Sequence, residues 1–268
     1  MIRTFQPTAT RRKPARADKP EMTLDRALSR AGLASRTVAA QWIAAGRVQV
    51  DGRVAHDPQQ WVAPERQRIT LDGQPLQRPQ PMYWALHKPV GYLTSHGDPR
   101  GRPTIYDLLG PQLEMPGQEK REGRPSRARA RPYQWYFSVG RLDQDTSGLL
   151  LITNDSVFAE RVANPELKVA KTYHVRVAPP MNAATLARLG GGLDIGRDER
   201  AAPCPVRALK RPGWVEIVLR EGKNRQVRRM VEAVGHRGEE LVRVRVGKLV
   251  LGDLPPGKLR RIRPADVI

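Results

Sequence analysis

The stretch VGRLDQDTSGLLLITND, Val139–Asp155, sets one arginine and two carboxylates directly before a continuous apolar run. Leu149–Thr153 reads as a strand, and its unbroken Leu149–Ile152 run marks it as core rather than as a strand with one wet face. Arg141, Asp143 and Asp145 would then stand at the lip of a buried strand. An ionised carboxylate there can serve as a nucleophile, a base or an electrostatic brace. Taken alone, the same residues also fit an ion pair that closes a turn.

Outward from this segment, strands dominate from about Pro81. Tyr83–His87, Thr172–Ala178, Trp214–Leu219 and Leu241–Val246 carry the strand pattern. Helices are expected over 182–189, ending at Gly190–Gly192, and over 224–234, with Val227, Met230, Val231 and Val234 on one face. Mixed elements on this scale predict an α+β domain on a mostly antiparallel sheet over 81–268. Before it lies a smaller α+β module, 21–78. Leu24, Ala27, Leu28 and Ala31 recur at helical spacing, and Gly32 ends that helix. Ser35 is an N-cap for a second helix closed by Gly46. Asp51–Gly52 and Asp72–Gly73 then mark two hairpins.

Of the 268 residues, 47 are Lys or Arg and 27 are Asp or Glu, a formal net charge of +20. Such a balance points to a polyanionic partner. No apolar run approaches the ~20 residues of a bilayer span, and residues 1–20 lack the apolar core of a secretory signal. With one cysteine, Cys204, neither an internal disulfide nor a Cys-rich zinc site can form. A cytoplasmic setting without membrane contact is expected. Residues 1–20 read as a disordered basic arm, and 112–132 as a basic mobile loop. Both suit sequence-independent phosphate contact.

Two resemblances sharpen this reading. ALSRAGLASRTVAAQWIAAGRVQVDGRVAHDP resembles the S4-type RNA-binding domain, with its Ser-Arg helix start and Ala-Gly-Arg-Val strand entry. Thr37 replaces the second arginine usual after Ser-Arg. Arg36, Arg47 and Arg53 are the phosphate-binding candidates of this module, Arg36 at a helix N-terminus. The quoted segment itself resembles the signature of pseudouridine synthases, whose catalytic aspartate corresponds to Asp143. KTYHVRV supplies a Lys-x-Tyr strand with Tyr173, and LREGKNRQVRRMVEAVGH a basic motif with Arg228. Lys88–Pro89–Val90–Gly91 resembles the opening of the catalytic domain. The motif order is that of the RsuA family, which modifies ribosomal RNA.

The resemblance implies isomerisation of a uridine in ribosomal RNA to pseudouridine, with large-subunit rRNA favoured. It implies catalysis by Asp143, Tyr173 and Arg228, with Arg228 pairing Asp143 and Tyr173 stacking on the extruded base. Lys88, Arg141, Lys223 and Arg225 join the RNA-facing candidates. No cofactor or metal is implied, and the expected partner is rRNA or a pre-ribosomal particle met by a monomer. Two other readings stay open from the residues: a non-catalytic RNA-binding factor on the same fold, and a glycoside hydrolase using Asp143 and Asp145 as its carboxylate pair.

Overall fold

The computed structural model describes residues 21–76, 80–113 and 135–268. The arm 1–20 and most of the 112–132 segment therefore lie outside the described residues. The chain divides into two compact units. One takes in residues as far as Leu28 together with Arg36–Leu76; the other takes in Ser29–Ser35 and Gln77–Ile268.

In the smaller unit the elements run β1 (Met22–Thr23), α1 (Leu24–Arg30), α2 (Arg36–Ala44), β2 (Val48–Val50), β3 (Arg53–Val54), β4 (Trp61–Val62), β5 (Ile69–Leu71) and β6 (Gln74–Pro75). Leu24, Leu28, Ala39, Ile43 and Val48 are completely buried. The two Asp-Gly pairs do what their chemistry requires. Asp51 and Gly52 have φ of 52° and 79°, Asp72 and Gly73 50° and 78°. Positive φ at both central residues is the hairpin turn that matches strand twist. It joins β2 to β3 and β5 to β6 in a four-stranded sheet of order β3-β2-β5-β6.

The larger unit contains β7 (Tyr83–Lys88), α3 (Ile105–Leu113), β8 (Phe137–Val139), β9 (Ser147–Thr153), α4 (Ser156–Ala163), β10 (Lys171–Ala178), α5 (Ala183–Gly190), β11 (Val206–Ala208), β12 (Trp214–Leu219), α6 (Gln226–Ala233), β13 (Arg237–Val246), β14 (Leu249–Val250) and β15 (Leu259–Arg261). Its sheet has the order β11-β12-β10-β13-β9-β7-β15, with β14 on β13 and β8 on β9. Every pairing is antiparallel except β9 with β13. Strand β9 explains its own sequence. Leu149 and Leu151 pack with Phe158 and Val162 of α4, while Leu150 and Ile152 pack with Ile105 and Leu109 of α3. Both faces are dry, so no polar alternation survives. Asp155 at the end of the quoted stretch then caps α4, accepting from the Val157 and Phe158 amides.

Differences from the sequence reading are local. Helices α3 and α4 were not expected. Helix α6 starts two residues later than the spacing predicts, because Arg225 has φ of 49° and stands outside the helical region. Strand β13 extends four residues N-terminal to the expected Leu241. Among the described residues, no helix is long and apolar enough to cross a membrane.

Candidate active site

Asp143 lies in the loop between β8 and β9, and this loop is held by its carbonyls. Lys88 at the end of β7 has no exposed surface. Its Nζ donates to the carbonyls of Asp143 (3.0 Å), Thr146 (2.8 Å) and Pro89 (3.0 Å). The Thr94 hydroxyl donates to the Leu142 carbonyl at 2.8 Å, and the Gly91 amide to that of Gln144 at 2.8 Å. Arg228 on α6 donates from Nη2 to the Asp145 carbonyl at 2.8 Å. Arg243 on β13 donates to the Arg141 carbonyl at 3.4 Å and to that of Leu149 at 2.8 Å. Each carbonyl from Arg141 to Thr146 thus has a donor. Buried polar groups left unpaired cost about 1–3 kcal/mol each, so this loop has one favoured shape.

The side chains of the loop are treated unequally. Asp145 accepts a bidentate pair from Arg225, at 3.1 and 2.9 Å, and its Oδ2 lies 3.2 Å from Arg228 Nε. Burial alone would raise the Asp145 carboxyl, but the bonds from Arg225 and the charge of Arg228 outweigh it and hold the group below its ordinary value. Asp143 is about one-third exposed, and the nearest cation among the described residues is Arg225, whose Nη1 stands 3.8 Å from Oδ2. Among the described residues, no hydrogen bond reaches the Asp143 carboxylate.

Tyr173 is brought in by strand register. It pairs with Arg243 of β13, and Arg243 pairs on its other side with Gly148 of β9. Tyr173, Arg243 and Gly148 therefore share a face, with Tyr173 roughly 10 Å across the sheet from Gly148 at the usual strand spacing. The ring is partly buried and packs against two core clusters, one that includes Leu142 and Leu150 and one that includes Val227 and Val231. Arg141 is exposed on the same loop.

Three expectations are corrected. Lys88 does not face RNA; it is enclosed and its donors are spent on the loop. Arg228 does not pair with Asp143 but with Asp145 and the Gly238 carbonyl. Lys223 is tied to Glu221 at 2.5 Å rather than free for phosphate. The paired state of Asp145 also argues against a carboxylate-pair hydrolase, which needs one carboxyl kept protonated. In the small unit, Arg36 pairs with the buried carboxylate of Asp25 at 2.8 Å while its own side chain stays 60% exposed. Arg47 is bidentate on Asp72, at 2.9 and 2.6 Å, with its guanidinium over the Trp42 ring. Arg53 is exposed.

Arg243 and Thr94 escaped the sequence reading. In Leu-Val-Arg-Val-Arg-Val both arginines of β13 follow the same alternation, but the register slips between Thr172 and Tyr173. The slip turns Arg243 inward, 3% exposed, and leaves Arg245 in solvent.

Burial of Lys88 lowers its ammonium from the ordinary 10.5 to about 8, against the attraction of Asp143 and Asp145. Below about pH 8 it is charged in the folded and unfolded chain alike, and the cost of burying that charge is present in full. Between pH 8 and 10.5 the unfolded chain binds more protons, so this group favours folding increasingly as pH rises. Relative to Lys88→Met, the wild type should gain about 2 kcal/mol from pH 7 to pH 10, read from urea midpoints. A gain in the opposite direction would contradict the buried-ammonium picture.

Comparison with known proteins gives the chain's family. Residues 82–233 match the model of the RNA pseudouridylate synthase family, and 22–67 that of the S4 domain. The chain is 34% identical to an uncharacterized RNA pseudouridine synthase of Aquifex aeolicus, over 92% of each chain. It is 32% identical to ribosomal large subunit pseudouridine synthase B of Bacillus subtilis, over 91% of this chain and 93% of that one. A crystal structure of a pseudouridylate synthase superposes with a TM-score of 0.60 at 25% identity, covering 91% of this chain and 97% of the other.

Proposed function

Because the chain belongs to the RNA pseudouridylate synthase family, we propose that it converts a uridine of large-subunit ribosomal RNA to pseudouridine, with Asp143 as the reacting carboxylate. The observation that carries the assignment of Asp143 is its carboxylate, one-third exposed and without a hydrogen bond among the described residues, on a loop whose carbonyls are all held. Residues 81–268 act as the catalytic domain and 21–78 as the RNA-binding domain. The protein works as a cytoplasmic monomer on rRNA or a pre-ribosomal particle.

In the reaction the C1′–N1 bond breaks, a C1′–C5 bond forms, C5 loses a proton and N1 gains one. Substrate and product are isomers, so the balance needs no redox partner or energy source. Asp143 meets the sugar–base junction, either by adding to it or by stabilising the sugar as the base departs. The base must first leave its stack, at a cost of a few kcal/mol. Phosphate contacts from the basic surface offset that cost, with Arg141, Arg225, Arg36, Arg47 and Arg53 as contributors. The Arg47–Asp72 pair is exposed, and such pairs contribute little, so a phosphate can share or replace that carboxylate, while Arg36 stays on the buried Asp25 carboxylate and offers its exposed side. Tyr173, two strands from Gly148, presents a ring to the flipped base.

Incubating the purified chain with large-subunit rRNA, naked and in precursor particles, and mapping pseudouridines at single-nucleotide resolution tests the assignment. One or two new sites are expected; none in any RNA would overturn it. Binding should also weaken steeply with salt, each phosphate contact adding about 0.7–0.9 to the log–log slope. Arg53→Gln is expected to lower that slope by about 1 without changing which uridine reacts; an unchanged slope would remove Arg53 from the interface.

A further inference from the structure

The largest exposed apolar side chain among the described residues belongs to the small unit. Trp61 is 66% exposed, while Val62, the other residue of β4, is 1% exposed. Strand alternation explains the direction, with Val62 on the core face and Trp61 on the solvent face. It does not explain the residue type. Isolated exposed aliphatic residues are ordinary, but Trp is highly buried on average. The indole also stands on a fixed backbone. Trp61 pairs with Thr23 of β1, the Leu24 amide donates to the Gln60 carbonyl at 2.9 Å, and the Asp25 amide to the Pro58 carbonyl at 3.1 Å.

The register also brings a cation to this ring. Directly opposed residues of an antiparallel pair share a face, with Cβ atoms about 4.5–5.5 Å apart, so the Trp61 and Thr23 side chains are neighbours. The Thr23 hydroxyl donates to Oδ1 of Asp25 at 2.5 Å. The other oxygen, Oδ2, accepts from Nε of Arg36 at 2.9 Å and lies 2.8 Å from its Nη2. One carboxylate thus links Arg36 to the strand partner of Trp61, while the Arg36 side chain remains mostly in solvent. A flat ring and a half-occupied guanidinium, side by side, match the two parts of a nucleotide: a base to stack and a phosphate to pair. We propose that Trp61 and Arg36 form a nucleotide subsite, in which an unpaired base of the RNA stacks on the indole and Arg36 contacts its phosphate. Bases inside a duplex have both faces covered, so the subsite selects loops, bulges and ends. With a formal net charge of +20, a second copy of this chain is a poorer occupant than a polyanion.

The subsite rests on the reading of this chain as an rRNA-modifying enzyme, and binding is measured apart from product so that the two fail separately. Absence of pseudouridine in the wild-type reaction would defeat that reading without touching the behaviour of Trp61. The probes are a single-stranded oligouridylate and an RNA duplex with the same number of phosphates. Trp61→Ala should bind the oligouridylate about 10-fold more weakly than wild type, and the duplex within about 2-fold of it. Trp61→Phe keeps a flat ring and should stay within about 3-fold of wild type on both. The salt slope of Trp61→Ala should match that of wild type, because no phosphate contact is lost. Arg36→Gln, whose amide can still donate to Asp25, should lower the slope by about 1. On rRNA the loss in Trp61→Ala should fall on KM rather than kcat. Wild-type affinity of Trp61→Ala for the oligouridylate, or an equal loss on strand and duplex, would overturn the proposal. So would a wild-type dimer that Trp61→Ala converts to monomer in sedimentation, since the ring would then cover a second copy. Should Trp61→Ala fail to fold, fluorescence decides: the oligouridylate should quench wild type more than Trp61→Phe, and equal quenching would overturn the proposal.

Discussion

Asp143→Asn is expected to lower pseudouridine formation by about 10³-fold or more while leaving the melting temperature and RNA affinity close to wild type. The amide has the same shape and the same backbone. Its loop is held through main-chain carbonyls, including that of residue 143 itself, and these bonds do not involve the side chain. No hydrogen bond among the described residues is lost with the carboxylate. The substitution therefore removes charge and nucleophilicity alone. Retained binding with lost product would also dispose of the reading of this chain as a non-catalytic RNA-binding factor. An amide variant that turned over at the wild-type rate would falsify the assignment of Asp143.

The second large effect concerns a residue with no side chain. Gly148→Ala is expected to destabilise the fold by about 4 kcal/mol or more, which for a domain of this size is a fall of about 8–16 °C in Tm. Gly148 has φ of +110°, a conformation costly for any L side chain. A Cβ there would stand 2.3 Å from the Arg243 carbonyl oxygen and 2.6 Å from the Arg243 amide nitrogen. Neither backbone atom can yield without parting β9 from β13, the sole parallel pairing among the described strands of this sheet. Gly97→Ala, where a Cβ meets nothing within 4 Å, is the control and should be nearly neutral. A Gly148→Ala protein that melted with the control would show that the two strands separate more easily than their register implies.

The sequence exposed those features that are local. The Asp-Gly hairpins, the Leu149–Thr153 strand and the face of α6 formed by Val227, Met230 and Val231 follow from turn chemistry and periodicity within a few residues. What it concealed depends on distant partners. Nothing in Lys88–Pro89 says that the ammonium will be enclosed, because the loop carbonyls it binds lie 55–58 residues away. Periodicity cannot separate Arg243 from Arg245 when the register slip that does so lies in the pairing with β10. Asp145 looked secondary to Asp143 because a fork onto Arg225, 80 residues on, leaves no local trace. Helix α3 hides because its Gly110 and Pro111 are poor helix residues that the packing of Ile105 and Leu109 overrides.

The three cations that grip the loop come from β7, α6 and β13, spread over much of the chain. During synthesis the Asp143 segment leaves the ribosome well before Arg228 and Arg243 exist to hold it. A chain ending before β13 would lack the Arg243 bonds to the Arg141 and Leu149 carbonyls and the strand beside Gly148. The segment's set of backbone partners is complete only once the last long strand is in place.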